Sequence, residues 1–399
     1  MLEIKDLTIK TIKGRELISH LNLTVNRGDK LAIIGEEENG KSTLLQCIAD
    51  RKMVESYCLV SGSIQKDHIK IGYLPQFLEK IWKQQTIEEY FFKENGQSEI
   101  NYEKYEEYYQ LEQILKDIGI NESYLQENRK MESFSGGEII KIEIAKLLFW
   151  QSDFLLLDEP TNDLDIETLE WLENYINTEE KPIMYISHDE TLLENTANAI
   201  LHLEQLENKT KAKWTYEHIG YREYTIKRQN WIDKQNRMAE NDARRHQKQQ
   251  EKWNRIFQSV EYKQETITRQ NPSKARLLAK KMKQVKAMER RFEKEELMQR
   301  VFPEEAIFGK FHNGEPIHSS KIIIDLQLEN HNSRIKKEKI ALRVMGKEKW
   351  CLLGKNGAGK TTLLKEIYHL LKDRQDIRVS YMPQNYEEVL PADMHQLSF

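Results

Sequence analysis

The sequence predicts an α/β protein with a mostly parallel sheet, a small helical insert, a long basic helical hairpin and part of a second copy of its first unit. Three observations predict it. Short apolar runs alternate with segments of helical spacing over the first 220 residues, the pattern of strand–helix–strand units. A Gly-rich turn leading into a helical segment occurs twice, at 35–45 and again at 354–364. Between the copies the charge balance inverts. Residues 221–300 hold 22 Lys and Arg against 11 Asp and Glu, which leaves 39 against 54 in the remainder.

Leu31-Ala-Ile-Ile34 is an apolar run ending in the first Gly-rich turn, and Lys41 to Ala49 then carries helical spacing. Phe154-Leu-Leu-Leu157 and Ile183-Met-Tyr-Ile186 read as further buried strands. Between Gln76 and Ser133 the texture changes. Asn101 to Gln110 is dense in charge and tyrosine, and Leu111, Ile114, Leu115 and Ile118 recur at helical spacing before Gly119, a natural stop. A helical subdomain is expected over about 77–135, with its tyrosines used in packing. From Tyr221 to Arg300 the spacing is again helical. Asn271-Pro272 fits an N-cap followed by proline at the first helical position, so two helices should meet there as a hairpin. The second arm, 272–300, would span about 43 Å, and Trp231, Trp253 and Phe257 are expected to pin the first. Beyond Phe302-Pro303, Lys321 to Leu328 reads as a strand, and Trp350-Cys-Leu-Leu353 leads into the second turn.

Several classes are excluded or disfavoured. The 399 residues contain no run of 18 apolar residues, so no membrane-spanning helix is expected. The start, MLEIKDLTIK, lacks the basic-then-apolar pattern of a secretory signal. Cys47, Cys58 and Cys351 have no metal-ligand spacing, and a reduced, cytoplasmic protein is expected. A basic middle between acidic ends reads as a segment made to meet a polyanion.

The repeated turn has the form G-x-x-x-x-G-K-[ST] between an apolar run and a helix: Gly35 to Gly40-Lys41-Ser42-Thr43, and Gly354 to Gly359-Lys360-Thr361-Thr362. Such a turn aims backbone N–H groups at phosphates, its Lys neutralises them, and its hydroxyl binds Mg²⁺. The first copy is unusual. Glu36, Glu37 and Glu38 stand in a loop meant for a polyanion, and Glu38 occupies the position of Gly357. A side chain there opposes positive φ and close backbone approach, and like charge adds to the cost. Two outcomes stay open at this loop: ordinary nucleotide binding, and binding that is weak or absent. Phe154 to Asp158-Glu159-Pro160 is an apolar strand ending in two carboxylates, suited to holding Mg²⁺ (Asp158) and activating water (Glu159). Ser135-Gly136-Gly137-Glu138 reads as a capped helix start. Ile71-Gly-Tyr-Leu-Pro-Gln76 recurs as Val379-Ser-Tyr-Met-Pro-Gln384, 35 and 24 residues after the respective lysines; the second copy has the shorter insert.

In this order, the phosphate loop, Gln76, Ser135-Gly136-Gly137, Asp158-Glu159 and His188 resemble the ATP-binding-cassette superfamily. Two cassettes joined by a basic helical linker resemble its F type (ABC-F). The resemblance implies a first cassette over 1–220, a linker over 221–302 and the N-terminal part of a second cassette over 303–399. It implies ATP and Mg²⁺ as ligands. Gly35, Asn39, Gly40, Lys41, Ser42, Thr43, Gln76, Ser135, Gly136 and Gly137 would hold nucleotide. So would Gly354, Asn356, Gly357, Gly359, Lys360, Thr361, Thr362 and Gln384. Ser42, Gln76, Asp158, Thr361 and Gln384 would ligate the metal, with Glu159 and His188 catalytic. It further implies a ribosome partner, met at ribosomal RNA and P-site tRNA through the linker, and a role in translation or antibiotic resistance. A soluble ATPase subunit of a transporter and a non-hydrolysing RNA- or ribosome-binding fragment are the alternatives.

Three departures from the family pattern shape the expectation. Glu38 replaces a loop glycine. No aromatic stands just upstream of the first loop, where family members often stack adenine, and His331 is a candidate for that place at the second. The second copy carries no counterpart of Ser135-Gly136-Gly137, Asp158-Glu159 or His188 before Phe399. Family members sandwich each ATP between the loop of one cassette and the Ser-Gly-Gly segment of the other. The resemblance therefore implies that neither composite site closes within one chain, and that a homodimer of first cassettes would complete them.

Overall fold

The computed structural model describes residues 1–66, 68–76, 78, 80–94, 96, 98–162, 164–206, 211–265, 272–292, 318–328, 340–354, 359–374 and 376–382. They divide into two units, Met1–Tyr216 with Gly309–Phe399, and Glu217–Phe308.

In the first unit, β1 (Leu2–Thr11) and β2 (Glu16–Val25) pair antiparallel. β3 (Lys30–Ile34) runs into the Gly-rich turn and α1 (Lys41–Ala49). β4 (Cys58–Gln65) returns to pair antiparallel with β1, and β5 (Ile71–Leu74) follows. The helical subdomain comprises α2 (Lys80–Lys83), α3 (Ile87–Phe92) and α4 (Tyr108–Asp117), leading to α5 (Gly136–Phe149). β6 (Phe154–Asp158), α6 (Ile166–Thr178), β7 (Ile183–Ile186), α7 (Glu190–Thr196), β8 (Ala199–Leu206) and β9 (Lys211–Glu217) complete the cassette.

The six-stranded sheet has the order β5-β6-β7-β3-β8-β9, with β5/β6, β6/β7, β7/β3 and β3/β8 parallel. Every residue of β6 and β7 is buried, as strands covered on both faces require. One core lies between this sheet and the antiparallel sheet. It gathers Leu2, Ile4, Leu7 and Ile9 of β1 with Leu31 and Ile33 of β3 and Leu44, Leu45 and Ile48 of α1. A second core fills the helical subdomain, where Phe91 and Phe92 pack with Leu111, Leu115, Ile142 and Phe149.

The tyrosine-rich stretch divides its labour. Tyr105 stacks on Phe92 at 4.0 Å and Tyr108 lies parallel to it at 6.1 Å, whereas Tyr102 and Tyr109 are exposed. Packing alone, as expected from sequence, accounts for the first pair. The helical spacing begins at Tyr108, after a 3-10 turn over Tyr102–Glu107, and Gly119 stops it at φ 76°.

The second unit holds α8 (Tyr221–Glu265) and α9 (Pro272–Phe292). Trp253 Nε1 donates to the carbonyl of Val285 at 2.9 Å, and Phe257 stacks beside Trp253 at 5.2 Å. Trp253 thus ties the two arms together. Trp231 is partly exposed, with the Arg228 guanidinium over its ring. Asn271 and residues 293–300 lie outside the described residues.

The second copy contributes β10 (Ile322–Leu328), β11 (Ile340–Met345) and α10 (Lys360–Leu371) to the first unit. Arg374 Nη1 donates to the Ile323 carbonyl at 2.6 Å, fixing β10 to the segment after α10. Trp350 to Leu353 takes no strand conformation, unlike its counterpart β3. Leu45 is fully buried, yet Leu364 at the same repeat position is half exposed. Among the described residues the second copy has one two-stranded sheet, where the first has a three-stranded and a six-stranded one.

Candidate functional site

Register brings three strand ends together. Ile33 of β3 and Asp158 of β6 both pair with Ile186 of β7. The Gly-rich turn, Asp158-Glu159 and Ser187-His188 therefore leave the carboxyl edge of the sheet side by side, the usual place for a ligand in an open parallel sheet. They surround a cavity of about 450 Å³, lined in part by Asn39, Gly40, Lys41, Ser42, Thr43, Gln76, Glu159 and His188. Glu37 and Glu38, the loop carboxylates, also line it, as do Leu17 and Asn162, whose sequence positions gave no sign of this.

The turn is held by its own backbone. Gly35 has φ 143°, and a Cβ on it would lie 2.2 Å from the Leu203 carbonyl oxygen. The Asn39 amide donates to that same oxygen at 3.1 Å, and its buried Oδ1 has no partner among the described residues. Gly40, at φ 86°, is the residue before α1. Lys41 is buried, and its Nζ donates to the carbonyls of Gly35 (2.6 Å) and Glu36 (2.8 Å). The ammonium thus closes the ring that the turn draws.

Glu38 adopts φ 63°, so the position takes the left-handed conformation that glycine would favour, despite its side chain. The carboxylate points outward, 72% exposed, with Arg15 Nη1 at 3.8 Å.

Ser42 Oγ donates to Asp158 Oδ1 at 2.9 Å, and Tyr73 Oη donates to Asp158 Oδ2 at 3.1 Å. Burial raises the Asp158 carboxyl above the ordinary range, while these two bonds and Lys41 pull it down. Glu159, at φ 50°, donates its N–H to the Ile186 carbonyl at 3.1 Å. Its carboxyl is likewise raised by burial, opposed first by His188. His188 Nε2 lies 3.3 Å from Glu159 Oε1.

These residues fit a magnesium nucleotide. A hydroxyl and a carboxylate sit side by side at the start of α1, the oxygen donor set a hard cation takes. The turn in front of them keeps its shape because Gly35 packs against the Leu203 carbonyl, where a Cβ has no room.

Ser135, Gly136 and Gly137 stand elsewhere, at the start of α5, and are not among the residues lining the cavity. Ser135 Oγ accepts from the Glu138 N–H while Glu138 Oε2 accepts from the Ser135 N–H at 2.8 Å, a capping box. A Cβ on Gly137 would lie 2.7 Å from Thr168 Oγ1 of α6, so glycine permits this close helix approach.

At the second turn, Gly354 (φ 157°) and Gly359 (φ 91°) flank the loop, and Lys360 Nζ donates to the Gly354 carbonyl at 2.6 Å. Lys360, Thr361 and Thr362 open α10. Asn356, Gly357, Gln384 and His331 lie outside the described residues.

A family profile described as ABC transporter matches residues 18–162 and 338–394. Among curated proteins, ABC transporter F family member 5 of Arabidopsis thaliana is 27% identical over 96% of this chain and 58% of its own length. ABC transporter F family member 2 of Dictyostelium discoideum is 25% identical over 100% of this chain and 67% of its own. The mRNA export factor elf1 of Schizosaccharomyces pombe is 31% identical over 51% of this chain and 18% of its own. A nucleotide-free ATP-binding cassette from an ABC transporter superimposes with TM-score 0.44 at 16% identity, covering 57% of this chain and 94% of that one. The chain belongs to the ABC transporter family of ATP-binding cassettes, and the relatives that match it from end to end support the F type within it. It spans about three fifths of the length of most of those relatives. No helix among the described residues is long and apolar enough to cross a membrane.

Proposed function

We propose that the chain is an ATP-hydrolysing ABC-F protein that acts on the ribosome, in translation or in protection from antibiotics, within the cytoplasm. Residues 221–302 are its contact with ribosomal RNA and P-site tRNA. The observation that carries the partner is one face of α8. Asn241, Arg244, Arg245, Lys248, Gln249 and Lys252 recur at helical spacing and line a shallow groove, with four cations and no carboxylate among them. Such a ridge meets phosphate backbone rather than base edges.

In the cavity, Lys41 and the turn's N–H groups take the phosphates. Ser42, Asp158 and Gln76 hold Mg²⁺, which when bound neutralises charge on the β- and γ-phosphates. Glu159 accepts a proton from the attacking water, and His188 orients its carboxylate. The second loop, through Gly354, Gly359, Lys360, Thr361 and Thr362, takes a further nucleotide. Ser135, Gly136 and Gly137, absent from the cavity's lining, act on nucleotide held by another cassette. Two first cassettes from two chains complete each other in this way.

The test is pelleting with ribosomes as salt is varied. Wild type should release steeply, and reversing Arg244, Arg245, Lys248 and Lys252 to Glu should flatten the log–log slope by about three. Binding that ignores both salt and these substitutions contradicts the assignment.

A further inference from the structure

Tyr73 belongs to no catalytic motif, yet it is the second support of the metal-binding carboxylate. Asp158 Oδ1 is taken by Ser42 at 2.9 Å and Oδ2 by Tyr73 at 3.1 Å. The Ser42 hydroxyl is itself assigned to the cation, so metal binding redirects that bond. The Tyr73 bond remains to fix the carboxylate's rotation. Gln46 of α1 stands beside the phenol, and Tyr57 Oη donates to Gln46 Oε1 at 2.6 Å. Tyr73 also stands on β5, three residues before Gln76. The strand that leads to a cavity-lining residue therefore carries the prop of the carboxylate as well.

We propose that Tyr73 is a positioning residue that holds Asp158 in the orientation that binds Mg²⁺, and so sets how much Mg²⁺ the nucleotide site needs. This rests on the reading of the cavity as a magnesium-nucleotide site. The equivalent tyrosine of the second copy, Tyr381, packs its ring against Tyr368 at 5.4 Å, and serves as a control.

The experiment titrates Mg²⁺ into the full chain with a fluorescent ATP analogue, using Lys360→Ala throughout to silence the second loop. Nucleotide binding in EDTA is recorded alongside. Tyr73→Phe should raise the Mg²⁺ concentration for half-saturation about three- to tenfold, the net worth of one ordinary hydrogen bond. It should leave binding in EDTA within twofold, and Tyr381→Phe should change neither. An unchanged Mg²⁺ requirement overturns the proposal. So does an equal loss with and without Mg²⁺, which would make Tyr73 merely structural. If the parent chain binds no analogue at any Mg²⁺ concentration, the nucleotide reading itself fails and the positioning role falls with it. The parent curve separates that case from the other two.

Discussion

Arg15 Nη2 donates to the carbonyl oxygen of Glu38 at 3.1 Å, while its Nη1 lies 3.8 Å from the same residue's carboxylate. A guanidinium from the turn between β1 and β2 thus holds, in its left-handed conformation, the residue that replaces a loop glycine. The carboxylate is offset from outside the loop rather than buried against the phosphates. Being exposed, the ion pair itself contributes at most about 1 kcal/mol. Glu38→Gly should keep stability within about 1 kcal/mol of wild type, since relief of the left-handed cost offsets added chain entropy. It should also tighten magnesium-nucleotide binding several-fold by removing one negative charge from the lining. Arg15→Ala should weaken binding by a similar factor. Calorimetric titration of both variants and the double variant checks this.

Gly35 has no room for a side chain. Gly35→Ala places Cβ against the Leu203 carbonyl at a φ that L residues rarely adopt. The turn must shift, at a cost of about 2–4 kcal/mol. Thermal unfolding should report a lower Tm, and nucleotide binding at this loop should be lost even where the chain remains folded.

Glu143 of α5 is 4% exposed, and burial pushes its carboxyl up to about 8, with Lys146 opposing. The Lys146 ammonium lies over the rings of Trp82 at 3.9 Å and Tyr90 at 4.3 Å. The folded chain therefore keeps a proton that the unfolded chain releases near pH 4.5. Stability should fall as pH rises from there toward about 8, then level off. Glu143→Gln should remove that slope and be more stable than wild type at pH 8 by roughly 2–4 kcal/mol. Urea unfolding across this pH range measures both.

A polar tie joins the arms of the hairpin, from Trp253 to the Val285 carbonyl. Trp253→Ala removes that bond and the ring that packs beside Phe257. Hydrogen exchange around Val285 should accelerate at least tenfold. The first cassette lies in the other unit, and should keep its Tm.

Much of this arrangement was legible in the sequence because period and punctuation agree there. The runs at 31–34, 154–157 and 183–186 are strands, and Ser135 caps its helix through Glu138. Register was not legible. Nothing local says that Asp158 and Ile33 both pair with Ile186, which is what brings the turn, Glu159 and His188 to one cavity. Arg15 and Tyr73 were missed for the same reason: their partners lie 23 and 85 positions away. For Tyr73 a signal existed, since the residue recurs as Tyr381. The second copy shows the limit of local reading. Trp350 to Leu353 is as apolar as β3, but among the described residues no strand pairs with it, and Trp350, Leu352 and Leu353 are exposed. Periodicity reports what a segment can become; burial depends on what packs against it.

Every role proposed above for the cavity depends on a magnesium nucleotide held around Lys41. Titrating Mg-ATP into the full chain carrying Lys360→Ala, with and without Lys41→Ala, measures this. Saturable binding is expected in the first variant and its loss in the second, with the fold retained in both. Binding that survives Lys41→Ala, or a complete absence of binding in the folded Lys360→Ala chain, would contradict it.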